Sequence, residues 1–135
     1  MKVLGEGGHG RVYKAFDLES QRFVAIKTMT VNLSNQLKFE REFTLMQRMN
    51  REGQVGFPTL YKKFQDDKYY YLVMEYLGSS LSKLVCTRNQ RKFSLKTIIM
   101  IALQFIKRLQ VLHQAGFIHR DLKPQNAVIG KGRTG

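Results

Sequence analysis

Cysteine is almost absent from this sequence of 135 residues, in which Cys86 is the single thiol. A lone cysteine cannot form an internal disulfide, which excludes a secreted scaffold held together by disulfides. Long apolar runs are also missing, since the richest segment, residues 97–103, is far shorter than the ~20 residues that span a bilayer. The first residues contain no apolar stretch that could serve as a signal peptide. These absences predict a cytoplasmic or nuclear protein without membrane association.

Acidic side chains are scarce in the second half of the chain. The sequence has 23 Lys and Arg against 10 Asp and Glu, a net charge of +13, and Asp121 is the only acid after position 76. This imbalance favours acidic or phosphorylated partners and also supports loose nucleic-acid binding. An acidic segment elsewhere that balances the charge is the alternative interpretation. No nucleic-acid recognition motif is present, so specific nucleic-acid binding is not predicted.

Two kinds of hydrophobic periodicity meet near residues 77–78. Before them, alternating runs predict strands over residues 11–17, 23–29, 59–64 and 68–75, with one helix over residues 35–50. After Gly78, apolar residues recur at spacings of three and four between Ser94, a predicted N-cap, and Gly116, a predicted helix terminator. We therefore predict an α+β chain, with an antiparallel sheet and one helix followed by the beginning of a helical unit.

Glycines are concentrated near the start of the chain. They form a G-x-G-x-x-G-x-V pattern, Gly5-Glu6-Gly7-Gly8-His9-Gly10-Arg11-Val12. Glycines at this density allow backbone N–H groups to approach phosphate oxygens closely. A dinucleotide-binding motif would need a helix directly after the pattern. Because the residues after Val12 are typical of a strand, the pattern favours a hairpin that covers a nucleotide.

Lys27 ends an apolar run in a predicted strand. Alone, it could be an edge lysine whose ammonium group reaches water. In the predicted helix, however, Glu42 falls within the apolar stripe, whereas Glu40 points away from it. A carboxylate on a buried face needs a partner, so the sequence predicts an ion pair between Lys27 and Glu42. The alternative is a solvated Glu42 at the margin of the stripe.

The segment His119-Arg120-Asp121-Leu122-Lys123-Pro124-Gln125-Asn126 contains the densest set of reactive groups. It places a carboxylate, a lysine and an amide within six residues, at positions 121, 123 and 126. Such a loop can bring a base to a hydroxyl, a cation to a phosphate and an oxygen ligand to a metal ion. A polar surface loop without chemistry is the alternative.

In this order, the three motifs resemble the signature set of protein kinases, with Lys123 typical of the serine/threonine class. Residues 56–59 (GFPT), 72–78 (LVMEYLG) and 91–97 (RKFSLKT) are similar to segments of the casein kinase 1 family. The resemblance implies an N-lobe over residues 1–76, a hinge at 77–78 and the start of a C-lobe over 79–135. Because no Asp-Phe-Gly motif is present, we expect a fragment that is inactive alone. A pseudokinase-like nucleotide-binding or scaffold module is the alternative.

The resemblance also implies roles for individual residues, with ATP and Mg²⁺ as cofactors. Asp121 would accept the proton of the substrate hydroxyl, and Lys123 would steady the transferring phosphate. Lys27, held by Glu42, would bind the α- and β-phosphates, and Asn126 would bind Mg²⁺. The other implied ATP-binding residues are Leu4, Gly5, Glu6, Gly7, Gly8, His9, Gly10, Val12, Ala25, Met74, Glu75, Leu77 and Val128. The implied partners are protein substrates, acidic or pre-phosphorylated ones among them, and the implied state is a monomer.

Overall fold

The structure, a computed structural model, describes residues 2–7, 10–87 and 92–130. The chain divides into two compact units, Met1–Tyr76 and Leu77–Gly135. The division lies at the residue where the alternating pattern of the sequence ends. Within the described ranges, none of the helices combines the length and the apolar character that crossing a bilayer requires.

The first unit is a five-stranded antiparallel sheet with one helix. Its elements are β1 (Lys2–Gly7), β2 (Gly10–Asp17), β3 (Arg22–Thr30), α1 (Leu33–Arg51), β4 (Leu60–Gln65) and β5 (Tyr69–Glu75). The strand order is β1-β2-β3-β5-β4, and every neighbouring pair is antiparallel. The predicted antiparallel sheet with one helix is therefore confirmed, and β3 lies at its centre.

Aspartate side chains shape the turns of two hairpins. Between β2 and β3, Asp17 accepts hydrogen bonds from the hydroxyl of Ser20 and from the N–H of Glu19. Between β4 and β5, Asp66 Oδ1 accepts from the N–H groups of Lys68 and Tyr69 at 2.8 and 2.7 Å. Aspartate favours turns because its short side chain can bond the backbone two or three residues ahead. Both turns lie in the gaps between the predicted strands, after residues 11–17 and after residues 59–64.

Helix α1 begins at Leu33, two residues before the predicted start. Asn32 has extended backbone angles, and its Oδ1 accepts the N–H of Asn35 at 2.9 Å. This bond satisfies one of the N–H groups that have no partner inside the first helical turn. The predicted boundary was wrong because Asn32 is an N-cap that the periodicity of apolar residues does not reveal.

The core of the first unit lies between α1 and one face of the sheet. Its buried side chains are Met29, Phe39, Met46, Tyr70 and Leu72. The rings of Phe39 and Tyr70 stack with centroids 4.8 Å apart. Since side chains two residues apart on a strand share a face, the position of Met29 places Lys27 on the face that α1 covers.

The second unit contains α2 (Leu81–Thr87) and α3 (Leu95–Gln114). The hydroxyl of Ser94 accepts the N–H of Thr97 at 3.2 Å, and Gly116 follows the helix with a φ of +80°. Both predicted ends of this helix are therefore confirmed. The bounds of α2 were not predicted, because seven residues are too few to show a helical period.

Residues 78–81 form backbone hydrogen bonds with the segment that follows the His119–Asn126 loop. Gly78 N–H donates to the carbonyl of Ile129 at 2.8 Å, and Ile129 N–H donates to Ser79 at 3.0 Å. Leu81 N–H donates to the carbonyl of Ala127 at 2.8 Å. A Cβ at Gly78 would lie 2.9 Å from the Ile129 oxygen. This close approach of two backbones therefore requires glycine at position 78.

Candidate active site

The glycine-rich segment forms the hairpin that the sequence predicted. Glu6 lies opposite Arg11, and Gly7 opposite Gly10, in the antiparallel register of β1 and β2. Gly8 and His9, which the sequence analysis assigns to the same site, lie outside the described residues. Leu4 on β1 is exposed.

The packing of the hairpin requires glycine at one of its described glycine positions but not at two others. Gly10 has a φ of +100°, and a Cβ there would lie 2.0 Å from the carbonyl oxygen of Thr28. Packing against β3 therefore excludes any other residue at position 10. At Gly5 and Gly7, by contrast, a Cβ would meet no atom within 4 Å. The fold does not require glycine at these two positions, and the space above their backbone is open to a ligand.

Lys27 lies on the central strand β3, opposite Val12 on β2 and Leu72 on β5. Ala25, two residues earlier, lies opposite Met74. Directly paired residues of antiparallel strands project to the same side of a sheet. Four predicted site residues, Val12, Ala25, Lys27 and Met74, therefore share one face.

An ion pair joins Lys27 to helix α1. Its Nζ donates to both carboxylate oxygens of Glu42, at 2.5 and 2.7 Å. The side chains are only 16% and 30% exposed, so solvent screens the pair less than it would at the surface. Each charge also compensates the desolvation of the other. The predicted ion pair is confirmed, and the interpretation of Glu42 as unpaired is wrong.

Glu40 lies on the exposed face of α1, as the helical pattern predicted. Its side chain is 51% exposed and pairs with Lys63 of the edge strand β4 at 2.9 Å. The Lys63 ammonium group also lies 3.9 Å from the centroid of the Phe43 ring. This second lysine–glutamate pair also joins a strand to α1. Its lysine, however, lies on β4, the edge strand at the other end of the sheet from β1. The pair is therefore a natural control for Lys27 and Glu42.

In the second unit, the three predicted residues of the loop after α3 form one cluster. Asp121 Oδ2 accepts a hydrogen bond from Asn126 Nδ2 and forms an ion pair with Lys123 Nζ, both at 2.8 Å. Asn126 Nδ2 also donates to the carbonyl of Asp121 at 2.8 Å. The backbone N–H of Asn126 donates to the carbonyl of Lys123 at 3.0 Å. The loop is thus cross-linked by its own side chains, and Lys123 is ion-paired with Asp121.

The backbone before Asp121 adopts an uncommon conformation. Arg120 has a φ of +62°, in the left-handed region that residues other than glycine rarely occupy. The N–H of Asp121 donates to Nδ1 of His119 at 3.3 Å, which closes this short turn. The turn and the side-chain cluster together define the position of the Asp121 carboxylate.

The chemistry of Asn126 fits a magnesium ligand. Its Nδ2 donates twice to Asp121, while its Oδ1 accepts no hydrogen bond from the described residues. An amide oxygen is a suitable ligand for a hard cation. The described residues contain no cluster of three or more His, Cys, Asp or Glu. A Mg²⁺ ion bound here would therefore take most of its ligands from a nucleotide and from water, as this ion commonly does.

The remaining predicted residues are Glu75, at the end of the first unit, and Leu77 and Val128 in the second unit. Glu75 ends β5, and its N–H donates to the carbonyl of Thr59 at 2.8 Å. Its carboxylate accepts from the N–H and the hydroxyl of Thr59 at 3.2 and 3.3 Å. In the second unit, Leu77 is half-buried, and Val128 forms a β-bridge with Ser80. Any adenine contact at Glu75 would therefore use its carbonyl rather than its N–H.

A family model for the protein kinase domain matches residues 1–134. The match covers both units, including the glycine hairpin, the Lys27–Glu42 pair and the Asp121 cluster. The chain therefore belongs to the protein kinase domain family, and this part of the resemblance seen in the sequence is confirmed.

One interaction of the hairpin was missed by the sequence analysis. Glu6 Oε1 accepts a hydrogen bond from Nε of Arg11 and forms an ion pair with its Nη2, both at 2.7 Å. The bond to Glu6, followed by one to Tyr13, raises the pKa of the Arg11 side chain above its usual value. Opposite charges at positions equally distant from a hairpin tip could have revealed the pair, because such residues face each other across two strands.

Proposed function

We propose that this chain is the ATP-binding and catalytic-loop part of a serine/threonine protein kinase of the casein kinase 1 family. The observation that carries the proposal is the ion pair between Lys27 and Glu42 in a chain of the protein kinase domain family. Lys123, two residues after Asp121, supports the serine/threonine class. The segments at residues 56–59, 72–78 and 91–97 support the casein kinase 1 assignment.

Nucleotide binding is assigned to the first unit and to the residues that follow it. Lys27 supplies a cation for the α- and β-phosphates, and the two hydrogen bonds to Glu42 restrict the directions in which its ammonium group can point. The open backbone at Gly5 and Gly7 can offer N–H groups to phosphate oxygens. In the first unit, Leu4, Val12, Ala25 and Met74 are the proposed apolar contacts of the base, and the carbonyl of Glu75 is a proposed hydrogen-bond acceptor. The resemblance implies a further backbone hydrogen bond at Leu77 and a further apolar contact at Val128.

Phosphoryl transfer is assigned to the loop of the second unit. The reaction depends on positioning and charge neutralisation more than on covalent help from the protein. Asp121 orients the attacking hydroxyl and accepts its proton, while Lys123 steadies the phosphoryl group. Asn126 Oδ1 is the proposed ligand of a Mg²⁺ ion, which when bound would neutralise charge on the phosphate oxygens. Substrates are proposed to be proteins with acidic or pre-phosphorylated segments, because Asp121 is the only acid in a strongly basic second half.

Binding of Mg·ATP to the 135-residue chain, measured by isothermal titration calorimetry, tests the nucleotide site. Lys27→Met is expected to weaken binding on the order of tenfold to hundredfold, because a charge-assisted contact to phosphate is lost. Lys63→Met removes the matched pair with Glu40 and should leave the affinity unchanged. A wild-type chain that does not bind Mg·ATP, or equal losses in the two variants, would contradict the proposal.

Transfer is tested with radiolabelled ATP and a protein substrate. The 135 residues contain no Asp-Phe-Gly motif, so we expect little transfer by this chain alone, and ordinary turnover would contradict that expectation. In any longer product of the gene that carries the motif, Asp121→Asn should abolish transfer and spare nucleotide binding. Phosphate on tyrosine rather than on serine or threonine would exclude the proposed class.

A further inference from the structure

Strand β1 is weakly attached to the rest of the first unit. It lies at an edge of the sheet and pairs only with β2, and all six of its residues are exposed. Its register also shifts between Val3 and Gly5. Among the described residues, Glu6 makes the only side-chain hydrogen bond or ion pair that joins β1 to another element.

The partner of Glu6 is anchored in the interior of the sheet. Arg11 lies on β2 directly opposite Thr28 of β3, next to the pair formed by Val12 and Lys27. The ion pair therefore connects the loosely held edge strand to β2, the strand next to the one that carries Lys27. It also lies one step from the pair of Gly7 and Gly10, where the described part of the hairpin ends.

The two charged side chains do not project toward the proposed phosphate-binding lysine. Because neighbouring residues of a strand point to opposite faces, Arg11 projects away from the face that Val12 and Lys27 share. Its side chain and that of Glu6 are more than half exposed. Neither side chain is therefore placed to contact a nucleotide bound beside Lys27, so the pair can act on it only through the backbone of the hairpin or through its electric field.

We propose that the Glu6–Arg11 ion pair is a positioning device, which holds the backbone N–H groups of Gly5 and Gly7 where the phosphates of a nucleotide require them. This inference rests on the proposed nucleotide-binding function. It adds Arg11 to the residues that determine nucleotide affinity and assigns Glu6 an action through its partner.

The direction in which ATP affinity changes when the charge of Glu6 is removed distinguishes this positioning role from a general electrostatic effect. A carboxylate near a polyanion repels it, so removing the charge of Glu6 should strengthen ATP binding if only the electric field mattered. If the pair positions the hairpin, the same substitution should weaken binding. For Arg11 both explanations predict weaker binding, which makes Glu6 the informative position.

The experiment measures the affinities of Mg·ATP and of adenosine for the 135-residue chain and its Glu6→Gln, Arg11→Gln and doubly substituted variants. We expect each single substitution to weaken ATP binding about two- to fivefold, the range for an exposed ion pair. The double substitution should cost no more than either single one. Adenosine, which has no phosphate, should bind equally to all four proteins. At about 1 M salt the differences should disappear, because exposed charges are then screened.

Glu52→Gln is the matched control, since it removes an exposed ion pair with Arg48 at 2.8 Å at the C-terminal end of α1 and should not change ATP affinity. If the wild type binds Mg·ATP but Glu6→Gln binds it equally or more tightly, the inference is overturned while the proposed function stands. If Glu6→Gln does not fold, the charge-exchanged variant Glu6→Arg/Arg11→Glu decides, and failure to restore affinity within about twofold of the wild type overturns the inference. If the wild type binds no Mg·ATP, the proposed function itself fails.

Discussion

The two units hold clusters of similar composition by different means. In the first unit, Lys27 and Glu42 lie on two regular elements, β3 and α1, whose contact buries an apolar core. In the second unit, Asp121, Lys123 and Asn126 lie in one loop and bond to each other. One cluster is therefore positioned by tertiary packing, and the other by hydrogen bonds that are local in the sequence.

Buried apolar side chains are also concentrated in the first unit. Of the nine buried apolar residues in the described part of the chain, eight belong to the first unit and only Leu112 to the second. Helix α3 nevertheless carries six large apolar side chains that are at least half exposed: Leu95, Ile98, Ile99, Met100, Leu103 and Ile106. Apolar burial is the main stabilising contribution in folding. Sensitivity to core substitutions should therefore be concentrated in the first unit.

The largest expected effect compares two leucines, one from each unit. Leu72 is fully buried and Leu103 is 55% exposed. Leu72→Ala should lower the free energy of unfolding by about 2–5 kcal/mol, because it removes buried methyl groups and leaves a cavity. Leu103→Ala should change it by less than about 0.5 kcal/mol. Urea unfolding followed by circular dichroism measures both, and equal losses would show that the two units do not differ in this way.

Smaller losses of stability are expected when two asparagines are replaced, one in each unit, whose side chains form hydrogen bonds with backbone groups. Asn50 accepts the N–H of Leu60 at 2.5 Å and donates to the carbonyl of Pro58 at 3.0 Å, in a half-buried position. Asn50→Ala should cost about 1–3 kcal/mol, because two partly buried backbone groups lose their partner. Asn126→Ala should cost less, since its partners are exposed and water can replace the amide. The same unfolding assay compares them, and a greater loss for Asn126→Ala would contradict this order.

The smallest effect is a pH dependence expected from the first unit. The hydroxyl of Tyr71, followed by the N–H groups of Lys68 and Tyr69, lowers the pKa of Asp66 below its usual value. A carboxyl group whose pKa is lower in the folded state stabilises the fold above its unfolded pKa of about 4. That contribution is lost as the pH falls through the folded pKa. Below about pH 4, the thermal midpoint of the wild type should therefore decrease more steeply than that of Asp66→Asn.

Asp67→Asn is the control for this pH dependence. Asp67 is adjacent in the sequence, but it forms no hydrogen bond with the described residues. The variant should retain the wild-type slope of thermal midpoint against pH. If the slope is unchanged in Asp66→Asn or is lost in Asp67→Asn, the hydrogen bonds of Asp66 do not control the acid sensitivity of this hairpin.

Much of the fold could be predicted because it depends on neighbouring residues. The helical period distinguished Glu42 from Glu40, and the caps at Ser94 and Gly116 defined α3 within one residue. The start of α1 could not be predicted from periodicity, since a capping side chain contributes no apolar position to the pattern. The bond from Asn126 to Asp121 could not be predicted either, because it lies in a loop whose residue 120 has a left-handed conformation that no simple sequence rule requires.

By itself, the sequence determined the order of β2 to β5, α1 and α3, the positions of two turns and the need for a partner at Glu42, because these follow from period, turn chemistry and the cost of burying a charge. Only the tertiary structure decided which groups meet. Lys27 and Glu42 are fifteen residues apart, and their contact requires α1 to pack on the sheet. Gly10 must be glycine because a carbonyl of β3 approaches it, whereas Gly5 and Gly7 face open space. Such contacts join residues that are distant in the chain, so they depend on strand register and helix packing.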